Sequence, residues 1–330
     1  MKRVIRFAVL VFVFLGSAPD LVLAQNSGEQ VGVSPWGPED EIGTLNMMTD
    51  ATRLEILSRI SGGKVYDLGV EYFVGMPSFY GRGDPRHHYA LTHTPRGNAA
   101  ADPSAIGPAM NEKIIYTGDV VSMYTHMGTH VDALNHFGLH GKIWNGFSAD
   151  EHLGDQGWHK AGAETIPPVV ARGVLIDVAA AKGLDVLPDA YKITARDLEE
   201  ALESQGTQLE GGGVVLIRTG RMKVYDDAEK YMANSPGLGL GAAKWLVEEK
   251  GAMMLGADNL SFEIRPSDIP GNWIPVHTYL LAEKGMVFLE LVNLEGIARD
   301  KVYEFAFIGS SLKFRGASAA PMRPLAIPIR

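Results

Sequence analysis

Short apolar runs alternate with helix-like stretches through the second half of the chain. The apolar runs predict strands at 174–177, 214–217, 253–257, 287–290 and 303–308. Helical spacing and capping residues predict helices at 194–204, 241–250 and 277–284, and a shorter one at 50–60 with Leu54, Ile56, Leu57 and Ile60 as its apolar positions. Strands that alternate with helices, with strand-only stretches early and late, predict an α/β fold in mixed layers.

Two stretches break this alternation. Residues 25–40 are polar and rich in Gly, Ser and Pro, so 25–60 is interpreted as an N-terminal extension ahead of one catalytic domain at 61–330. Residues 74–113 lack periodicity and are dense in Gly, Pro, Asp and His. Irregular segments of that length are usually functional or disordered, and a substrate-covering role is one interpretation of this one.

The N-terminus has the order of a secretory signal peptide. Basic Lys2, Arg3 and Arg6 precede an apolar run at 7–15, and a small residue, Ala24, stands before a polar stretch. We expect residues 1–24 to be removed after Ala24, which predicts a periplasmic or secreted protein with no membrane attachment afterwards. The alternative is a membrane anchor, but the run is shorter than the roughly 20 residues that a span needs.

Composition narrows the function classes. The formal net charge is −9, which argues against nucleic acid as a partner, because nucleic-acid-binding proteins present basic surfaces. The chain has no cysteine, so a bound metal must be held by His, Asp or Glu.

Three of the ten histidines fall within eleven residues, in the run His126-Met-Gly-Thr-His130-Val-Asp132-Ala-Leu-Asn-His136. On an extended backbone residues two apart project to one side, so His130 and Asp132 can face one ion. A turn at Gly128, where no Cβ obstructs the chain, can fold His126 back onto the same ion, and Thr129 could hydrogen-bond locally to fix the bend. Two imidazoles and one carboxylate leave coordination positions open, which is typical of catalytic sites.

His136 lies four residues beyond Asp132 and is either a further ligand or a general base. We favour the base, because an open metal site needs a nearby group that handles protons.

The run His126-x-Gly128-Thr129-His130-x-Asp132-x-x-x-His136-Phe137 resembles the signature of the metal-dependent cyclase-like hydrolases, a family that includes bacterial kynurenine formamidases, isatin hydrolase and trans-dienelactone hydrolase. The segments 215–220, 256–261 and 276–294 also resemble family landmarks. One departure is Leu134, since many members carry Pro two residues after the Asp. This departure sets the chain apart from the formamidases and leaves the metal site untouched.

The resemblance implies a swivelling β/β/α fold with a mixed sheet, and a homodimer or larger homo-oligomer. It also implies that His277 and Glu290 complete a second metal position, with Asp132 bridging two ions. Glu290 has its own argument: it is an acid inside an apolar strand, where a buried carboxylate must be neutralised, paired or bound to a metal. One or two ions are expected, and Zn²⁺ and Mn²⁺ both suit nitrogen and oxygen ligands.

Other side chains carry weaker hypotheses. Trp36, Phe79 and Tyr80 could stack on an aromatic substrate, although aromatic residues usually pack in cores. Arg218 follows an apolar strand, and an acid such as Asp258 could pair with it.

The functional expectation is a hydrolase in which metal-activated water opens a small cyclic amide or lactone, as in isatin or dienelactone hydrolysis. An arylformamidase that acts on N-formyl aromatic amides is the enzymatic alternative. A non-catalytic periplasmic protein that binds metal or ligand is the alternative of another class.

Overall fold

A computed structural model of the 330-residue chain describes residues 30–79, 90–93 and 119–330. The expected signal peptide, Tyr80 and most of the 74–113 stretch lie outside the described residues. Export and self-association therefore both stay predictions, since the structure is of a single chain. Within 74–113, Ala90–His93 forms a strand paired with Asp119–Ser122, so this part is not irregular. No described helix has both the length and the apolar character that a membrane crossing requires.

Short strands dominate the described chain. In order they are β1 (Tyr66–Asp67), β2 (Ala90–His93), β3 (Asp119–Ser122), β4 (His130–Asp132), β5 (Leu153–Gly154), β6 (Gly157–Trp158), β7 (Val169–Asp177), β8 (Lys192–Ile193), β9 (Val214–Arg218), β10 (Gly237–Leu238), β11 (Met254–Ala257), β12 (Phe288–Glu290), β13 (Glu304–Gly309), β14 (Ala319–Pro321) and β15 (Leu325–Pro328).

The described α-helices are α1 (Asp50–Ser58), α2 (Ala149–His152), α3 (Val178–Ala181), α4 (Ala195–Gln205), α5 (Ala228–Met232), α6 (Leu240–Lys244), α7 (Pro275–His277) and α8 (Glu295–Arg299). Two of them continue as π-helix, α6 through Trp245–Glu249 and α7 through Thr278–Glu283. Short 3₁₀ turns lie at Gly43–Met47, Trp144–Gly146, Ala163–Thr165 and Arg221–Val224.

One nine-stranded mixed sheet organises the molecule, in the order β1-β15-β13-β7-β9-β11-β12-β4-β14. Its centre, β7-β9-β11-β12, is parallel, and the strands on either side of this centre pair antiparallel. Every residue of β9 and β11 is buried, as expected for parallel strands covered on both faces. The structure confirms the predicted mixed α/β fold as a single domain, with the expected strands and helices close to their predicted positions.

Helix α1 departs from its prediction in its apolar face. Its N-cap is Thr49, which forms a capping box with Thr52. Ile56 is buried, whereas Leu54 is 70% exposed. Residues two apart on a helix point about 200° apart, so burying Ile56 turns Leu54 towards solvent.

The N-terminal extension is fastened to the domain through Asp40. This buried carboxylate accepts hydrogen bonds from Ser34 Oγ, Asn46 Nδ2 and Trp144 Nε1, and from the backbone N–H groups of residues 42 and 43. These bonds outweigh the effect of burial and lower the pKa of Asp40. Asp40 therefore holds the described part of the extension against the domain at Trp144.

The expected pairing of Arg218 with Asp258 is wrong. Arg218 binds Asp177 at 2.9 Å and Glu295 at 2.7 Å. Asp258 instead accepts bonds from the backbone N–H and hydroxyl of Thr219 and from Gly220 N–H. The carboxylate of Asp258 thus caps the turn after β9, and the guanidinium of Arg218 reaches acids on other segments.

Candidate metal centre

Strand β4 places His130 and Asp132 on one face of the sheet, and both side chains are almost completely buried. It pairs antiparallel with β12, where Glu290 stands directly opposite His130. Paired residues in a sheet project from the same face, so Glu290 joins the two β4 side chains. The spacing of His130 and Asp132 predicts this shared face, and the cross-strand register adds the second carboxylate.

The turn before β4 brings His126 to the same place. Gly128 has a φ of +61°, and an added Cβ would lie 2.3 Å from Cζ of Tyr72. The Tyr72 hydroxyl donates to the carbonyl of Thr129 at 2.8 Å. The bend at Gly128 therefore matches its prediction, but Thr129 acts at long range, since its hydroxyl donates to the carbonyl of Leu291 at 2.6 Å.

His126, His130 and Asp132 form a first group of candidate ligands, and hydrogen bonds orient its two imidazoles. Nδ1 of His126 lies 2.8 Å from Oδ1 of Asp132, and its Nε2 lies 2.8 Å from Ser318 Oγ. Nδ1 of His130 donates to the carbonyl of Gly128 at 2.8 Å, which leaves its Nε2 as the basic nitrogen facing the acids. Potential ligand atoms of His126, His130 and Asp132 all lie within 4.8 Å of one another.

A second group meets the first at Asp132. Its members, Asp132, His136 and His277, also offer ligand atoms within 4.8 Å of one another. Nε2 of His136 lies 3.6 Å from Oδ2 of Asp132, and Nε2 of His277 lies 3.8 Å from the same oxygen. His277 also approaches Oε1 of Glu290 at 3.5 Å. The structure thus brings together every residue that the sequence assigned to the metal or to catalysis.

Glu263, which the sequence analysis did not single out, holds His277 in place. Its fully buried carboxylate accepts bonds from Nδ1 of His277 at 2.7 Å and from the backbone N–H groups of Val276 and His277 at 3.0 Å each. Nε2 of His277 is therefore the nitrogen that faces Asp132. The signal was present in the sequence: Glu263 is an acid between Phe262 and Ile264, and the burial argument applied to Glu290 applies equally to it.

Three buried atoms test whether a cation fits. His130 Nε2, Asp132 Oδ2 and Glu290 Oε1 make no hydrogen bond to any described residue. Buried polar atoms are nearly always paired, and leaving one unpaired costs about 1–3 kcal/mol. A divalent cation accepts one imidazole nitrogen and two carboxylate oxygens as ligands, so these atoms fit a metal ion.

The electrostatics of the site favour added positive charge. Burial disfavours the imidazolium forms, yet Asp132 and Glu290 raise the pKa of His130 to about 10, and Glu263 and Glu290 raise that of His277 to about 10. Burial and repulsion from His126 lower the pKa of His136 well below its usual value. A divalent ion supplies the charge that the carboxylates attract, and its binding displaces protons from imidazole ligands.

A cavity of about 240 Å³ opens onto both groups. Its polar lining includes Asp132, His136, His277 and Glu290, and the rest is mainly apolar and aromatic, formed by Phe79, Tyr124, Phe137, Leu260, Trp273 and Ile274. The ring of Phe137 packs edge-on against His136 at 4.4 Å and against Trp273 at 5.8 Å, centroid to centroid. The size and lining of the cavity suit a small, largely apolar molecule beside a cation.

Of the three aromatic residues predicted to bind substrate, the structure places one at the cavity. Phe79 lines the cavity. Trp36 does not: it is 44% exposed on the N-terminal extension. Tyr80 lies outside the described residues. Phe137 and Trp273 line the cavity and were missed, although Phe137 directly follows His136 in the motif.

Comparisons with known proteins identify the family and the fold of the chain. The model of the Cyclase family, described as "Putative cyclase", matches residues 66–264. A crystal structure of a novel cyclase is 28% identical, covers 90% of this chain and 100% of its own, and superposes with a TM-score of 0.77. Two further structures share the fold at 20% identity. Isatin hydrolase A from Ralstonia solanacearum covers 80% of this chain and 92% of its own, with a TM-score of 0.58. A potential metal-dependent hydrolase with cyclase activity covers 81% and 98%, with a TM-score of 0.51.

A search of the curated proteins finds no match. The mixed sheet and its cluster of histidines and acids define a cyclase-like α/β protein with a candidate divalent-metal centre. The chain belongs to the Cyclase family. The matched region ends at residue 264, so it does not include His277 and Glu290, which the structure places beside the motif residues.

Proposed function

We propose that this protein is a divalent-metal-dependent hydrolase that opens a small cyclic amide or lactone. One observation carries the proposal: His130 Nε2, Asp132 Oδ2 and Glu290 Oε1 are buried and unpaired within the described chain, in a cluster that faces an open cavity. Membership of the Cyclase family supports it, as does the fold shared with proteins named isatin hydrolase and metal-dependent hydrolase.

His126, His130 and Asp132 would hold the first ion, and Asp132, His277 and Glu290 would hold a second, with His136 beside them. Nitrogen and oxygen donors suit Zn²⁺ and Mn²⁺ alike. A divalent cation held there would lower the pKa of bound water towards about 7 and polarise a carbonyl group.

We assign His136 as the group that moves protons. Its Nε2 borders the cavity and lies 3.6 Å from Oδ2 of Asp132, which orients the ring. The oxygen of water attacks the carbonyl carbon, and the C–N or C–O bond of the ring breaks. The proton lost by water passes to Nε2 of His136 and then to the leaving nitrogen or oxygen, so the product is an open-chain carboxylate.

The aromatic walls support a flat substrate. Phe137 and Trp273 both line the cavity and contact each other edge-on, so a conjugated ring can pack against them. An N-formyl aromatic amide would also fit these walls, so arylformamide hydrolysis remains the alternative reaction.

The test is a substrate panel with and without chelator. Isatin, a dienelactone and N-formylanthranilate distinguish the cyclic amide, lactone and formamide reactions. We expect turnover of isatin or the lactone that chelator abolishes and Mn²⁺ or Zn²⁺ restores. Turnover that chelator leaves intact would contradict the metal-dependent mechanism. Tight metal binding without turnover of any panel member would support the metal- or ligand-binding protein instead.

Two variants separate the roles of the ligand and the proton-transfer group. Asp132→Ala should lose metal and activity together, because Asp132 belongs to both groups. His136→Ala should keep metal at the first position and lose about 10²–10⁴-fold in rate. Metal content measured by mass spectrometry and kcat decide between them, with the exposed His159→Ala as control. A His136→Ala enzyme with wild-type kcat would disprove the assignment of His136.

A further inference from the structure

A second cavity of about 270 Å³ adjoins the metal-facing one and shares Phe79, Leu260 and Ser261 with it. It also includes Arg265. We propose that this side cavity is a carboxylate subsite, in which Arg265 and Ser261 bind an anionic group that the substrate carries away from the bond being cleaved. The inference rests on the proposed hydrolase function, because it names the class of substrate for the same site.

The guanidinium of Arg265 lies close to two rings that line the metal-facing cavity. Its Cζ lies 4.6 Å from the ring centroid of Phe79 and 5.7 Å from that of Trp273. Stacking on both rings places the guanidinium at the edge of the space that a substrate would occupy.

Within the described chain, Arg265 is partly buried and lacks the ion pair that the buried arginines make. Arg218 pairs with Asp177 and Glu295, and Arg221 pairs with Asp189. Among the described residues no carboxylate pairs with Arg265, and its Nη1 is buried with no hydrogen-bond acceptor. A buried donor on a charged group is costly when unpaired, and a carboxylate is its best partner, because the two can form parallel charge-assisted hydrogen bonds.

Ser261 is the second unpaired donor of the side cavity. It is buried, its Oγ makes no hydrogen bond to any described residue, and its backbone has a φ of +80°. A non-glycine residue in that region is strained, and such strain concentrates at binding and catalytic sites. The strained turn directs a free hydroxyl into the cavity where Arg265 lies.

The rest of the lining favours an anion over a cation. The described residues of this cavity include Tyr231, Met232 and Ser235 but no acid, and the Ser235 hydroxyl donates to the carbonyl of Pro236. The cavity therefore holds one positive charge and two free donors. A substrate that fits has its reacting carbonyl at the metal centre, a conjugated body against Phe137 and Trp273, and a carboxylate at Arg265.

Turnover of two matched substrates tests whether the subsite recognises a carboxylate. Isatin-5-carboxylate and isatin share the reacting ring and differ in one carboxylate. We expect the wild-type enzyme to favour the carboxylate in kcat/KM, and Arg265→Gln to reduce that preference by about 10–100-fold. Arg196→Gln, an exposed arginine, should keep the wild-type preference. An Arg265→Gln enzyme with the wild-type ratio of the two kcat/KM values would overturn the subsite.

Equilibrium binding tests carboxylate recognition at the subsite without turnover. Indole-5-carboxylate and indole have a similar shape and cannot be hydrolysed, so calorimetric titration compares their affinities directly. We expect at least a tenfold preference for the carboxylate in the wild-type protein and its loss in Arg265→Gln. Equal affinities in the wild-type protein would overturn the proposal. A preserved preference in a protein that hydrolyses neither isatin, isatin-5-carboxylate nor any other member of the substrate panel would sustain the subsite and reject the proposed function.

Two milder variants guard against misfolding. Arg265→Lys keeps the charge but removes the planar fork, so we expect it to keep part of the preference. Ser261→Gly removes the hydroxyl and relieves the positive φ, so it should fold and lose about 3–10-fold of the preference. If neither variant changes the preference, Arg265 and Ser261 do not form the subsite.

Discussion

At the residue scale, the turn that brings His126 to the metal centre requires a residue without a side chain at position 128. Gly128 has a positive φ, and its missing Cβ leaves room for the ring of Tyr72. Gly128→Ala should lower the free energy of unfolding by about 1–3 kcal/mol and weaken metal binding, because the turn that carries His126 must shift. Chemical denaturation and metal titration measure the two effects. Gly63→Ala is the control, since nothing lies within 4 Å of its added Cβ; equal losses in both variants would show that the turn is not special.

Glu263 provides a second prediction at this scale. Its two oxygens accept three N–H groups, from Val276 and from the backbone and ring of His277. Glu263→Gln replaces one oxygen with a donor, which must then face another donor. We expect metal affinity to fall about 10–100-fold and stability to drop by about 1–3 kcal/mol.

Titration with Mn²⁺ or Zn²⁺ and urea unfolding of Glu263→Gln test this expectation against Glu151→Gln, which alters an exposed acid. Wild-type affinity in Glu263→Gln would show that His277 does not need this carboxylate for its orientation.

Sequence spacing predicted the residues whose geometry is local. His130 and Asp132 share a face because strands alternate, and Gly128 supplies the bend between His126 and His130. Ser318 and Glu263 could not be found in this way. Ser318 is 192 positions from His126, and only the pairing of β14 with β4 brings it close. Arg265 and Ser261 likewise gain their meaning from a cavity that no local pattern encodes.

At the element scale, helix α4 is fastened at its start by Asp197. This carboxylate accepts bonds from Thr194 and Tyr191 and pairs with Lys182 at 2.6 Å. Burial raises the pKa of Asp197, but Lys182 and Thr194 outweigh burial and lower it to about 2. The folded state therefore binds its proton less readily than the unfolded state, so the stabilisation is complete above the unfolded value of 3.8 and is lost as the pH falls towards 2.

This sign leads to a measurable prediction. Asp197→Asn should destabilise the protein by about 2 kcal/mol at pH 5, and about half of that difference should disappear by pH 3. Urea unfolding of both proteins at the two pH values measures the gap. The exposed Asp155→Asn should show no gap at either pH; a gap in Asp197→Asn that is as large at pH 3 as at pH 5 would contradict the sign.

Elements with a strong local signal were predictable, and those that depend on context were not. Thr194 and Asp197 form the capping box that predicts the start of α4, and the apolar run at 214–217 predicts β9. Strands β4 and β14 are three residues each and carry no periodicity of their own, yet β4 carries two of the candidate ligands, His130 and Asp132. Leu54 shows the opposite error, since an apolar residue on a short surface helix need not face the core.

At the scale of the whole molecule, alternating strands and helices predicted the mixed layers, whereas the order of strands did not follow from the pattern. β4 precedes β7 in the chain but lies beyond β12 in the sheet. This long return brings Glu290 opposite His130 and joins the two ligand groups at Asp132. Only the family resemblance linked His277 and Glu290 to the motif, because 141 positions separate His136 from His277.

The stability of the whole molecule should therefore depend on a divalent cation. An ion that binds only the folded state at 100 times its Kd adds about 2.7 kcal/mol, which for a chain of this size raises Tm by about 4 °C. We expect Mn²⁺ or Zn²⁺ to give this rise after chelator treatment. Mg²⁺ should give less, because it prefers all-oxygen sites and keeps its waters. Asp132→Ala removes the residue common to both ligand groups, so its Tm should not respond to any of the three ions. A Tm that rises equally in Asp132→Ala would place the bound ion elsewhere on the protein.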